Sequence, residues 1–152
     1  MIPSTTDRVT SNTAEHVNEQ IRRRTEANVA RLGQAGPQAV ERRLRELDEE
    51  WDVERYVETI APSLTLAGMG LGLLASRKWF ALPFVVQTFF LQHAIQGWCP
   101  PVPLLRRAGV RTAAEIETER NALKALRGDY RQVGAKGRHE DAAHRAVAAA
   151  EK

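Results

Sequence analysis

The chain has one cysteine, two methionines and few aromatic residues, 6% of 152 positions. One thiol excludes an intramolecular disulfide framework and any multi-Cys zinc or iron–sulfur site. The four His residues are scattered and give no ligand pair at metal spacing, so neither a metal nor a cofactor is expected. The first 15 residues lack an apolar h-region, so no secretory signal is expected there. No acid pair, no nucleophile with a base and no phosphate loop stands out, so the chain does not read as an enzyme.

Charge is the scarcest feature of the middle third. Residues 59–105 hold only Arg77 and Lys78, whereas residues 1–58 carry a net charge of −3 and residues 106–152 a net charge of +4. The mean hydropathy of −0.41 therefore averages an apolar centre with two charged arms. Thr59 to Ser76 is 18 residues without a charge, about 27 Å of helix at roughly 1.5 Å per residue, close to the thickness of a hydrocarbon core. Trp79 to Trp98 supplies a second apolar stretch of 20 residues. Together they predict an all-α membrane protein: a two-span transmembrane helical hairpin with amphipathic cytoplasmic helices on both flanks. The competing reading is a buried hairpin in a soluble core, because Gln87, Gln92, His93 and Gln96 are each costly in lipid. Trp51, Tyr56, Trp79 and Trp98 stand where an interfacial aromatic belt would lie. Arg42, Arg43, Arg45 and Arg55 precede the hairpin and Arg106, Arg107 and Arg111 follow it. The positive-inside rule then puts both termini in the cytoplasm.

The arms divide further. Residues 1–12 read as a flexible start, 13–58 as a charged amphipathic helical arm, 59–105 as the hairpin, 106–130 as a basic C-terminal helix and 131–152 as a mobile Ala-rich tail. Thr13 caps a first helix to about Leu32, with Val17, Ile21, Asn28 and Leu32 near one stripe. Gly33, Gly36 and Pro37 separate it from a second helix with the seam Val40, Leu44, Leu47 and Trp51. That helix is either a solvated one seeking a single partner surface or a coiled-coil or interfacial one. Thr112 and Glu115 stand at capping-box spacing, and Gly128 marks the end of the helix they open.

Three groups could carry assembly or chemistry. Ala61, Thr65, Gly68, Gly72 and Ala75 fall on one face of the first span, a small-residue face for close helix packing against the second span or another copy. Thr88, Gln92 and Gln96 form a polar stripe on the second span, with His93 beside it. In lipid these groups should face a bundle interior, either as a polar conduit or as hydrogen bonds that fix packing. Cys99 is a candidate thiol, in Gln96-Gly97-Trp98-Cys99-Pro100-Pro101-Val102-Pro103, whose prolines predict an extended exit from the membrane surface. His93 and Cys99 would be about 9 Å apart along an unbroken helix, too far for a dyad. Arg106 and Arg107 are candidate contacts to anionic headgroups.

The two short spans, the Gly-rich first span and the junction Gly97-Trp98-Cys99-Pro100, followed by Val102-Pro103-Leu104-Leu105, resemble the YgaP-like transmembrane domain family. This is a small bacterial inner-membrane module found alone or fused to a rhodanese sulfurtransferase domain. The resemblance covers roughly 51–105. It implies a helical hairpin that self-associates in the inner membrane. Only Cys99 carries over as a site residue; without a rhodanese domain or a second cysteine, sulfur transfer does not. The sequence thus points to a small inner-membrane structural or interaction protein, a homo-oligomer or a subunit of a larger membrane complex, whose partners are the bilayer and itself or another membrane protein. A thiol-sensing or sulfur-handling protein using Cys99 is the first alternative, and a small-solute or anion pore lined by the polar stripe is the second. Nucleic acid is not expected as a partner, because acids interleave the arginines.

Overall fold

A computed structural model describes residues 4–131 and 145–148, and among them every regular element is helical. In chain order these are α1 (Glu15–Ala35), α2 (Pro37–Glu49), α3 (Val53–Leu74), α4 (Ala81–Gln96), α5 (Pro101–Arg107) and α6 (Ala113–Arg127), with 3-10 turns at Thr10–Asn12 and Arg77–Phe80. The expected tail, 131–152, lies outside the described residues except for 131 and the helical 145–148.

The boundaries follow from local chemistry. Gly36 takes φ 91° and Pro37 occupies the first position of α2, where its missing N–H costs nothing. Asp52 caps α3 by accepting from the Arg55 amide at 2.8 Å. The long apolar helix therefore starts in charged sequence, at Val53 rather than Thr59. Ser76 caps the 3-10 turn that reverses the chain into α4. Gly97, at φ 77°, ends α4. The prolines beyond it open a helix instead of an extended exit, because Pro101 sits in the first turn of α5, where fixed φ is pre-organised. The Thr112–Glu115 capping box forms: the Thr112 amide donates to Glu115 Oε2 at 2.8 Å and the Glu115 amide to Thr112 Oγ1 at 3.3 Å. Gly128, at φ 94°, follows the end of α6.

The chain divides into two compact units. The first comprises Met1–Arg23 and Trp51–Ile116. Its centre is the antiparallel pair α3 and α4, in a register that sets Gly72 against Phe80 and Gly68 against Pro83. Below the pair, Val9, Val53, Val57, Cys99 and Val102 form a buried cluster with Phe89, Phe90, Leu105 and Val110 packed on it. Within the expected flexible start, Val9 is 2% exposed and joins this cluster, while residues 4–7, 11 and 12 are exposed. Trp51 leaves the α2 seam: α2 ends at Glu49, and Trp51 packs against Tyr56 with ring centroids 5.2 Å apart and planes tilted by 59°, under the Arg55 guanidinium.

Arg106 ties this unit together. It is 1% exposed, and its guanidinium donates to Thr13 Oγ1, Asn18 Oδ1, the Val110 carbonyl and both oxygens of Glu115. Those bonds occupy all five donors of the fork. Arg106 is thus no headgroup contact: its charge is matched by Glu115 inside the fold. Arg107 is exposed.

The second unit comprises Arg24–Glu50 and Glu117–Lys152. It buries Leu32, Val40, Leu44, Leu47 and Leu123. Glu119 is fully buried there and accepts from Arg43 Nε at 2.9 Å. This bond holds the Arg43 pKa above its usual value, and Glu46 and Glu50 stand around the same guanidinium.

Among the described residues one helical stretch, Pro37–Leu74, is long and apolar enough to cross a membrane. The break between α2 and α3 puts its apolar part in α3. α4, at 16 residues, is shorter than the 20-residue span expected from Trp79 to Trp98.

Candidate functional site

The expected small-residue face is largely turned inward on the chain's own α4. Ala61, Gly68 and Gly72 are buried and Thr65 is half-buried. A Cβ added at Gly68 would stand 2.5 Å from Pro83 Cδ, and one at Gly72 2.8 Å from the Phe80 ring. Thr65 Oγ1 accepts from Gln87 Nε2 at 2.8 Å, the polar bond between the two helices in that region. Ala75 lies beyond the end of α3 and is exposed. The face is therefore occupied within one chain.

The polar stripe does not face an interior as expected. Thr88 is exposed and returns its hydroxyl to the Phe84 carbonyl of its own helix. Gln96 is exposed and Gln92 half-buried. Helical rotation puts His93 on a different side of α4, where it is 1% exposed.

His93 organises the base of the hairpin. Its Nε2 is 2.8 Å from Glu54 Oε2. The other Glu54 oxygen accepts from Arg8 at 2.9 Å, and Arg8 also donates to the Ala94 carbonyl at 3.0 Å. The hydrogen bond from His93 holds the Glu54 carboxyl below its usual pKa, against desolvation, which raises it. The His93 Nδ1 is buried and makes no hydrogen bond. Arg8, Glu54 and His93 thus stand in series.

Gly97 ends α4 between His93 and Cys99. Cys99 lies beyond that break, in the buried cluster with Val9, Val53, Val57 and Val102. The Gly97 site admits no side chain, since a Cβ would lie 2.4 Å from the Arg8 carbonyl carbon. Asn12 closes the same corner by donating to the Gln96 carbonyl at 2.7 Å. Sequence reasoning missed Glu54 and Arg8. The Asp52 cap was the signal for Glu54, because a helix begun at Val53 carries its first-turn acid down to the level of His93.

Cys99 is 3% exposed and is one of the residues lining an apolar cleft of about 180 Å³. Val57, Ala61 and Leu64 of α3 and Val86 and Phe89 of α4 line it. Its lining is almost wholly hydrocarbon. Among the described residues, no three His, Cys, Asp or Glu side chains group to hold a metal ion.

No protein-family model, curated protein or solved structure matches the chain. The resemblance to the YgaP-like family gains no support from them.

Proposed function

We propose that the protein is a membrane-embedded structural or interaction module, with the α3–α4 hairpin in the bilayer and the charged helices at its surface. The observation that carries this reading is the outer surface of the hairpin. Leu66, Leu73, Leu74, Phe84 and Leu91 are between 61% and 90% exposed. An apolar surface of that extent is a site of lipid or protein contact. The charge-free part of α3, residues 59–74, is about 24 Å long at roughly 1.5 Å per residue. Arg77 and Lys78 at the turn can snorkel to the far interface, which offsets the shortness of α4.

The same reading puts both chain ends on one side. Arg43, Arg106 and Arg111 are partly or wholly buried, which leaves Arg42, Arg45, Arg55 and Arg107 exposed on that side. Four exposed arginines there against Arg77 and Lys78 at the turn favour the cytoplasm, in the inner membrane of a bacterium. Because Gly68 and Gly72 pack within the chain, self-association or docking in a larger complex uses the outer leucine and phenylalanine surface. The pore alternative is weakened by the burial of His93 away from the exposed Thr88 and Gln96.

Alkaline carbonate extraction tests the membrane reading. The native protein is expected to stay with the membrane, and a variant with Leu66→Arg and Leu73→Arg to be released. Full extraction of the native chain would overturn it. Crosslinking in native membranes then reads self-association, and loss of a dimer band in the Leu66→Arg variant marks the outer face as the contact.

A further inference from the structure

We propose that the turn of the hairpin binds one anionic phospholipid, whose phosphodiester meets Arg77 and Lys78 and whose acyl chains lie along Leu73 and Leu74. With the hairpin in the bilayer, on which this inference rests, the turn reaches the far interface. It holds an open concavity of about 620 Å³, lined by Gly72, Leu73, Ala75, Ser76, Arg77 and Phe80. One wall depends on a glycine: the Phe80 ring closes on position 72, where a Cβ would stand 2.8 Å from it. Arg77 and Lys78 are exposed, and neither side chain makes an ion pair with a described residue. Residues 59–105 contain no Asp or Glu. Glu58, the last acid before the turn, stands sixteen residues from Leu74, about 24 Å along α3. The two positive charges at the turn thus lack the kind of partner that Glu115 gives Arg106.

The surroundings of these cations suit a lipid better than a free anion. A guanidinium presents a fork to two phosphate oxygens, and an ammonium adds a point charge. The Ser76 hydroxyl lines the same concavity. Its oxygen accepts from the Lys78 amide at 3.5 Å, which leaves its proton to donate. Hydrocarbon surrounds this small polar group: Leu74 is 90% and Leu73 76% exposed. Trp79 and Phe80 are also exposed, and Trp79 stands where an indole favours the boundary between headgroups and chains. Free phosphate would leave that apolar surface uncovered, whereas acyl chains cover it. Binding also bears on orientation. Arg77 and Lys78 are the cations that weigh against cytoplasmic chain ends, and a phosphodiester at the turn offsets one of their charges.

The test uses the purified full-length protein in neutral detergent micelles, with phosphatidylglycerol or phosphatidylcholine of the same acyl chains, read by native mass spectrometry. The expected result is one phosphatidylglycerol retained in preference to phosphatidylcholine. Arg77→Gln and Lys78→Gln are each expected to weaken its retention about 5-fold, the worth of one cation at an anionic surface. Arg77→Lys should lose less than Arg77→Gln, and excess inorganic phosphate should not displace the lipid. Equal retention of the two lipids overturns the proposal, as does a loss that follows Arg107→Gln and not Arg77→Gln. Displacement by inorganic phosphate overturns the lipid and leaves an anion site. If the Gln variants lower the thermal midpoint but keep the lipid, the cations only balance the carbonyl end of α3, which also overturns it. A variant with Trp51→Phe and Trp98→Phe keeps Trp79 as its one indole. Its fluorescence is expected to be quenched more by phosphatidylglycerol with brominated chains than by brominated phosphatidylcholine, and equal quenching would remove the lipid from the turn. Micelles keep the result separate from the membrane reading, which fails or stands on carbonate extraction alone.

Discussion

Glu54 Oε2 stands 2.8 Å from His93 Nε2, so the first turn of α3 is bonded to the last turn of α4. The bond closes the open end of the hairpin, opposite the turn at Arg77–Phe80. The folded Glu54 pKa lies below its ordinary value of 4.5. The stability it contributes is therefore present above that value and is lost as pH falls below it. Glu54→Gln is expected to be less stable than the native chain at neutral pH. The gap between their thermal midpoints should close as the solution is acidified below pH 4.5. A gap independent of pH would show that the carboxylate charge contributes nothing.

Gly97→Ala tests the corner where residues 8–12 meet the end of α4. Position 97 has φ 77°, and an added Cβ meets the Arg8 backbone at 2.4 Å. Alanine where the native φ is incompatible destabilises by more than the ~1 kcal/mol of an ordinary glycine change. The expected result is a lower thermal midpoint and rapid proteolysis within residues 4–12, whose bonds to Gln96 and Ala94 depend on that corner. An unchanged digestion pattern would contradict the close approach.

Gly68→Ile acts within one chain. Its added carbons collide with Pro83, which cannot move aside as a flexible side-chain end can. Overpacking of this kind costs about 1–3 kcal/mol. Loss of hairpin stability, followed by denaturant titration in micelles, should be independent of protein concentration. A concentration-dependent loss would place the glycine face between copies instead.

The parts legible in the sequence are those that depend on near neighbours. The Thr112–Glu115 box, Gly128 and the Gly36–Pro37 boundary are short-range rules and stand as read. The glycines at 68 and 72 announced close packing, though not that the partner would be the chain's own α4. The site was hidden for two physical reasons. Apolar runs mark where a helix is lipid-like, not where it starts, so Glu54 was counted in the charged arm. Helical spacing is read along an unbroken helix, and Gly97 ends α4, so the path of the chain through Trp98 and Cys99 was not legible from spacing. Arg106 was misplaced because a cation followed by another cation reads as surface, while its partner Glu115 stands nine residues on.

Arg43 and Glu119 allow a test of the second unit alone. Glu119 is fully buried, and Arg43 meets it with two nitrogens, at 2.9 and 3.3 Å. Arg43→Met removes that guanidinium and takes one charged partner from a buried carboxylate. Breaking a buried pair on one side costs about 3–5 kcal/mol. Replacing both members by well-packed apolar residues of similar volume is often neutral. The single variant Arg43→Met is thus expected to unfold at distinctly lower urea concentration. Arg43→Met with Glu119→Met is expected to recover most of the loss, although Glu46 and Glu50 then lose a shared cation. The recovery distinguishes desolvation from Coulomb attraction. If the double variant is as unstable as the single, the pair contributes net attraction beyond the cost of burying it.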